Sequence, residues 1–212
     1  MDKINNINIM KWTLIDIIKE TDHPFLNFYT LKYEIIDDQG NIKPYSYFMC
    51  SRHNKDELYA LTKNKRPDGV LIPCYYEDEK GNIFLLITEQ FRPALNRMVT
   101  SMPAGLLDEG DDLFSAAKRE AEEEGGVIID DLELLCPLSP TSSGLSDEVN
   151  AVVLGRIVGF SHNHLEEFED IKVKLIPIEQ VKEMLEDDRY FFAMNIRLLA
   201  KYLLLRFSKR IQ

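Results

Sequence analysis

The stretch Gly105–Val127, GLLDEGDDLFSAAKREAEEEGGV, decides how the rest of the chain is read. Gly105 and Gly110 mark a loop leading through Asp111 and Asp112, both suited to N-capping. The helix that follows is predicted to run to about Glu124 and to stop at Gly125 and Gly126. On a wheel turning ~100° per residue from Leu113, the apolar stripe is Leu113, Ala116 and Ala117. Glu120 and Glu124 fall within about 20° of Leu113, inside that stripe, and Glu123 lies at its edge beside Arg119. Glu122 points the opposite way, towards solvent.

Carboxylates on an inward face are costly unless they pair with a cation or bind a metal. Glu120, Glu123 and Glu124 against Arg119 leave an excess of negative charge that a divalent cation would neutralise. The donors are hard oxygens without His or Cys, which suits Mg²⁺ or Mn²⁺ rather than zinc. The competing reading is an ordinary solvated acidic helix face. The inward phase counts against it.

The spacing resembles the signature of the Nudix hydrolase family: Gly, five residues, Glu, seven residues, Arg-Glu, an aliphatic, any residue, Glu-Glu, any residue, Gly, an aliphatic. Here those places hold Gly105, Asp111, Arg119, Glu120, Ala121, Glu123, Glu124, Gly126 and Val127, and every spacing is met over 23 residues. Asp111 stands where the family has Glu and is one methylene shorter, which bears on its expected link to Arg119. Ala121 is small for the aliphatic place.

Length and composition agree with an ordinary folded protein. The 212 residues support one sizeable core and a small extra module, with 45% hydrophobic and 10% aromatic residues. A formal net charge of -11 argues against a protein that grips nucleic acid through its phosphates. Small phosphorylated substrates remain open, because a metal and a few local arginines suffice for them. Cys50, Cys74 and Cys136 are odd in number and lack a CxxC spacing, so they read as buried, reduced thiols. MDKINNINIMKW has no apolar run of signal-peptide length and no later run reaches the ~18 residues of a membrane span. The expectation is a soluble cytoplasmic protein.

Residues 1–60 are expected to form a small antiparallel β module, and 61–212 the larger domain. WTLIDIIKE, LNFYTLKYEII and PYSYFMCSR are the module's strands, with a turn at Asp37–Asn41. HNKDELYALTKNKRPDG then offers one short helical turn. From Gly69 the expected strands are GVLIPCYY, NIFLLITEQF, MVTSMP, ELLCPLSP, NAVVLGRIVGF and IKVKLIPI, and the expected helices are EQVKEMLEDD and AMNIRLLAKYLLLRF. Helices flanking a mixed sheet account for this pattern, an α/β fold. The resemblance implies the Nudix α/β/α sandwich over roughly residues 60–207.

EQFRP at Glu89–Pro93, MPAGLLDEG at Met102–Gly110, SSGLSDE at Ser142–Glu148 and EEFEDIKV at Glu166–Val173 are similar to stretches of the ADP-ribose and nucleoside-diphosphate-sugar pyrophosphatases. Ser143 stands where a Pro associated with ADP-ribose preference is usual, and Ser101 precedes Met102 where many relatives have Glu before the PAG turn. The resemblance implies Mg²⁺-dependent hydrolysis of a nucleoside diphosphate linked to another moiety, with Mn²⁺ as a substitute. ADP-ribose, giving AMP and ribose 5-phosphate, is the leading substrate.

By the same resemblance the Ala104 carbonyl, Glu120, Glu124, Glu123 and Glu169 hold metal. Glu167 is the general base, and Arg119 orients the glutamates. Repulsion among Glu166, Glu167 and Glu169 is expected to raise one of their pKa values towards neutrality, without the sequence saying which. Arg92 and Arg66 are candidates for phosphate or terminal-ribose contacts. Glu148 is a candidate for sugar binding or for assisting the metal site. Adenine stacking needs an aromatic side chain from the β module, with Phe28 and Trp12 named among Trp12, Phe25, Phe28 and Tyr29. Core packing is the expected role of most of that set. His162 and His164 read as exposed loop residues. Relatives exchange or pack this module across a homodimer, so a homodimer is expected, with no nucleic-acid or membrane partner. The alternatives are a Nudix-like module that senses nucleotides without cleaving them, and an enzyme of this fold acting on another nucleotide such as a nucleoside triphosphate.

Overall fold

A computed structural model describes residues 10–162 and 170–208. The chain divides into two compact units, Met1–Arg66 with Pro140–Val149, and Pro67–Ser139 with Asn150–Gln212.

The first unit is a three-stranded antiparallel sheet of β1 (Lys11–Lys19), β2 (Asn27–Ile36) and β3 (Ile42–Ser51), in that order. The β2–β3 turn is set by Asp37, whose Oδ1 accepts from the backbone N–H of Gln39 at 3.0 Å and of Asn41 at 2.9 Å. Gly40 takes the left-handed conformation the turn needs, at φ 82°. This fixes the pairing Phe28↔Cys50 through Ile36↔Ile42, and a β-strand's two-residue period then sorts the side chains by face. Ile17, Tyr29, Leu31, Met49 and Leu58 form the unit's core. A 3₁₀ turn at Lys55–Glu57 and the short helix α1 (Tyr59–Thr62) follow. The loop before Val149 is tied to this sheet: the Cys50 N–H donates to the Leu145 carbonyl at 2.9 Å and the Tyr59 N–H to Asp147 Oδ2 at 2.9 Å.

The second unit is built on an eight-stranded mixed sheet. Its strands are β4 (Gly69–Leu71), β5 (Cys74–Glu77), β6 (Ile83–Arg92), β7 (Arg97–Ser101), β8 (Ala104–Leu106), β9 (Val127–Pro140), β10 (Val149–Phe160) and β11 (Ile171–Pro177). The order is β11-β6-β5-β10-β4-β8, with β7 on β6 and β9 on β10. The stretch expected as one strand, GVLIPCYY, is two. Pro73 cannot donate to a ladder, and its carbonyl accepts from the Gly155 N–H at 3.0 Å. On either side of that break β4 and β5 both lie parallel to β10, but β4 also pairs with β8 and β5 with β6.

Alternation along β6 places Ile83, Leu85 and Ile87 on one face and Leu86 on the other. The first face packs against α3 (Val181–Glu186) and α4 (Met194–Ser208) through Val181, Met184, Leu185, Ile196, Ala200, Leu203 and Phe207. The second packs against α2 (Leu113–Glu123) through Ala116, Ala117 and Ala121. Each large aliphatic or aromatic side chain so buried contributes about 1.5–3 kcal/mol. The architecture is thus the expected α/β sandwich, helices on both faces of a mixed sheet. No helix among the described residues is long and apolar enough to cross a membrane.

Candidate active site

Two elements build the site, β8 and α2. The three residues of β8, expected as loop, pair with β4 as a short strand, Gly69↔Leu106 through Leu71↔Ala104. That pairing holds the backbone of residues 104–106 straight beside the helix. Asp112 is the N-cap, its Oδ2 accepting from the Ser115 N–H at 3.1 Å. Asp111 instead accepts from the Asp108 N–H at 3.2 Å and lies 3.5 Å from Arg119 Nη2. The shorter carboxylate reaches Arg119 only at the limit of hydrogen bonding. At the other end Gly126, at φ 62°, closes the helix by donating to the Glu122 carbonyl at 3.0 Å.

The helix presents its charged residues as the wheel requires. Glu120 is buried with 9% of its surface exposed, while Glu123 and Glu124 are half-buried and Glu122 is exposed. β8 meets these side chains residue by residue. The Ala104 N–H donates to Glu124 Oε2 at 2.9 Å. Gly105 lies against the Glu120 carboxylate so closely that a Cβ there would sit 1.9 Å from Glu120 Cδ. The Leu106 carbonyl accepts from Arg119 Nη2 at 3.3 Å. Arg119 Nη1 also donates to Glu120 Oε1 at 2.7 Å and to Glu123 Oε2 at 2.9 Å. Burial, the largest single influence, pulls the Arg119 pKa down, but Glu120 and Glu123 outweigh it and the net shift is upward. Arg119 therefore stays charged and fixes two of the glutamates.

Among the described residues no three His, Cys, Asp or Glu side chains are gathered closely enough to hold a metal ion together. The donor chemistry nevertheless fits a hard cation. One guanidinium serves both Glu120 and Glu123, the buried Glu120 carboxylate is pressed onto a glycine, and Glu124 reaches the backbone one residue before it. Glu167 and Glu169, with Glu166 and His164, lie outside the described residues.

The remaining candidates are divided between the units. Arg92 ends β6 in the second unit, exposed and directly opposite Arg97 of β7. The others belong to the first unit. Arg66 is half-buried, its N–H donating to Asn64 Oδ1 at 3.0 Å. Glu148 Oε1 accepts from Thr141 Oγ1 at 3.0 Å, and its Oε2 lies 3.5 Å from Arg52 Nε. The expectation that most of the module's aromatics pack into its core is corrected. Tyr29 alone of the four is buried, its hydroxyl donating to the His53 carbonyl, while Trp12, Phe25 and Phe28 are exposed. Trp12 meets Tyr33 and Tyr45 edge-on. Phe28 faces Phe48, with planes 5° apart and centroids at 6.3 Å. Strand parity explains the split, since Phe28 and Tyr29 are neighbours on β2 and must point to opposite faces.

Phe48 and Arg97 went unnoticed in the sequence. Register alone brings Phe48 beside Phe28 and Arg97 opposite Arg92, and no short motif encodes that. Cys74 is buried, which pushes its thiol pKa up, whereas Cys50 and Cys136 are only half-buried; all three are free. His162 is exposed, as expected.

Residues 65–194 match the NUDIX domain model. The chain is 28% identical over 131 residues to an ADP-ribose pyrophosphatase of Bacillus subtilis, covering 61% of this chain and 68% of that protein. It is 28% identical over 139 residues to the ADP compounds hydrolase NudE of Escherichia coli, covering 66% and 72%. A crystal structure of an ADP compounds hydrolase superposes with a TM-score of 0.66 at 16% identity over 94% of this chain and 95% of the other, a likeness of fold. With a matched domain over more than half its length, and the glycine, arginine and glutamates of α2 and β8 assembled as described, the chain belongs to the Nudix hydrolase family.

Proposed function

We propose that this protein hydrolyses the diphosphate bond of a nucleoside diphosphate linked to another moiety, with ADP-ribose as substrate and AMP and ribose 5-phosphate as products. The observation that carries this is the Glu120 carboxylate held between Arg119 and Gly105. A buried carboxylate is tolerable where it is paired or serves a cation, and the one guanidinium here is shared between Glu120 and Glu123. The relatives named for ADP-ribose and ADP compounds supply the substrate class.

Nudix hydrolases use divalent metal cations. Here Mg²⁺, with Mn²⁺ as a substitute, would be held by the Ala104 carbonyl, Glu120, Glu124, Glu123 and Glu169. When bound it supplies neutralisation of the diphosphate charge and acidification of water. The residues of the chain do the rest. Arg119 orients Glu120 and Glu123 through its hydrogen bonds to both. Water oxygen bonds to one phosphorus as the bridging P–O bond breaks, and Glu167 takes the proton the water loses. Arg92 and Arg66 contact phosphate or the terminal ribose, Glu148 accepts from a sugar hydroxyl, and Phe28, now with Phe48, offers a face to adenine, with Trp12 as the second aromatic candidate. The working form is a cytoplasmic homodimer of a 1–60 module and a 61–212 catalytic domain, with no nucleic-acid or membrane partner.

A panel of nucleoside diphosphate derivatives and nucleoside triphosphates, incubated with Mg²⁺ and scored by product identity, tests the reading. AMP with ribose 5-phosphate from ADP-ribose is expected. Triphosphate cleavage with ADP-ribose left intact would move the chain to another substrate class, and binding without cleavage would make it a sensor.

A further inference from the structure

The segment that joins β9 to β10 belongs to the first unit, and it carries Glu148, the carboxylate assigned to a sugar hydroxyl. Connections of this kind are ordinarily less ordered than the strands they join. This one is closed at its neck and fastened along its length. The Thr141 N–H donates to the Glu148 carbonyl at 3.0 Å, and Thr141 Oγ1 to Glu148 Oε1 at 3.0 Å. Within the loop the Ser142 carbonyl accepts from the N–H groups of Leu145 at 2.8 Å and Ser146 at 2.9 Å. β3 is an outer strand of the three-stranded sheet, and the loop covers its open edge. There the Cys50 N–H donates to the Leu145 carbonyl, Cys50 and Ser146 form a parallel bridge, and the Tyr47 hydroxyl donates to the Ser143 carbonyl at 3.2 Å.

A further tie is made at α1. The first N–H groups of a helix have no acceptor within it, and the N-cap side chain is the usual source of one. Leu58 holds that place and offers none, its side chain being committed to the unit's core with Ile17, Tyr29, Leu31 and Met49. Asp147, 88 residues from Tyr59, supplies the acceptor: its Oδ2 takes the Tyr59 N–H at 2.9 Å. A carboxylate accepting from a backbone N–H at a helix start makes one of the stronger hydrogen bonds of a fold. Asp147 immediately precedes Glu148 in the chain, and Glu148 Oε2 lies 3.5 Å from Arg52 Nε, just past the end of β3. The place of the Glu148 carboxylate is thus set by β3 and α1.

We propose that Asp147 is a positioning residue. By fastening the loop to the start of α1 it fixes where Glu148 meets a sugar hydroxyl of the substrate, so sugar recognition is governed by the first unit. The proposal rests on the sugar-bearing diphosphate argued above. It adds Asp147 and the Tyr59 N–H to that reading.

The test is a double-mutant cycle on the full-length enzyme with Mg²⁺ and ADP-ribose. Glu148→Ala is expected to raise KM about 10-fold and Asp147→Ala about 5-fold, the effect falling on KM and not on kcat. In the Glu148→Ala background, Asp147→Ala should add less than about 2-fold, because a residue that acts through another is not additive with it. Asp147→Asn keeps an oxygen acceptor for the Tyr59 N–H and should restore the wild-type KM. Tyr59→Pro removes the donor from the other side, at a first helical position that tolerates proline. Leu58 already holds the extended backbone a following proline requires, at φ -53° and ψ 137°. Tyr59→Pro should reproduce the KM of Asp147→Ala, whereas Tyr59→Ala, which keeps the N–H, should not. If Asp147→Ala fails to fold, Tyr59→Pro takes its place in the cycle. Independently of turnover, hydrogen exchange of the Cys50 N–H should quicken in Asp147→Ala and Tyr59→Pro and stay as in wild type in Asp147→Asn. Multiplicative effects of Asp147→Ala and Glu148→Ala, or an unaltered KM in both Asp147→Ala and Tyr59→Pro, would overturn the positioning role and leave the activity intact. A wild type that leaves ADP-ribose and other sugar-bearing diphosphates uncut would sink the activity, and the positioning role with it.

Discussion

The helix α2 with strand β8 and the sheet of the first unit handle their functional candidates in opposite ways. On the inward side of α2 and its cap the charged groups are held: Arg119 is shared by Glu120 and Glu123, and Glu124 takes a backbone N–H. On the three-stranded sheet Trp12 is 50%, Phe28 43% and Phe48 58% exposed, Trp12 meeting Tyr33 and Tyr45 and Phe28 meeting Phe48. Groups that must sit within a fraction of an ångström of reacting atoms are fixed by partners. Groups that offer a flat face to a ring need only be left uncovered. The first kind is coupled to stability and the second is not, and substitutions separate the two.

The largest effect is expected at the helix. Glu120→Gln or Glu124→Gln should cut Mg²⁺-dependent turnover by more than about 100-fold, since even outer-shell partners of a metal cost about 10–100-fold. Circular dichroism should show the fold retained. Full turnover in both variants would mean that these fixed carboxylates are structural, and the contrast between the regions would collapse. Next comes Gly105→Ala, whose Cβ would overlap the Glu120 carboxylate. Overpacking of this kind costs about 1–3 kcal/mol, so both melting temperature and rate should fall together. A variant of wild-type stability would show that Glu120 has room to move.

On the sheet the effects should uncouple. Phe28→Ala and Phe48→Ala are expected to raise KM for ADP-ribose by about 5-fold or more, from a stacking worth roughly 1–3 kcal/mol, with the melting temperature nearly unchanged. A clear drop in melting temperature with KM intact would assign both rings to packing. The smallest effect is expected at Asp37, whose pKa is held down to about 2, first by its hydrogen bond with Lys43 and next by the Asn41 backbone. A carboxylate with a depressed folded-state pKa contributes stability above its unfolded pKa of about 4 and loses it as pH falls towards 2. Acid titration of the melting temperature should show that limb in the wild type and a shallower one in Asp37→Asn. Identical curves would remove Asp37 from the turn's energetics.

Much of this was written in local patterns. The start and stop of α2, the inward phase of Glu120 and Glu124, the outward phase of Glu122 and the Asp37–Asn41 turn all depend on neighbours within about one helical or hairpin turn. Such preferences are carried by the residues themselves. The break at Pro73 was legible in principle, since Pro cannot donate to a ladder, but the long apolar run around it masked the signal. The short strand β8 was missed because AGL has no strand pattern of its own and extends only by pairing with β4.

The sequence by itself determined an acidic helix with carboxylates on its buried side, the strands of a mixed sheet, and a spacing that belongs to the Nudix family. Only the tertiary structure decided that Gly105 lies on the Glu120 carboxylate, that Phe28 meets Phe48, that Arg92 faces Arg97, and that Pro140–Val149 joins the first unit. The reason is physical. Periodicity fixes which face a side chain takes, but which distant residue waits on that face depends on strand register and packing, and those are settled by the whole chain at once.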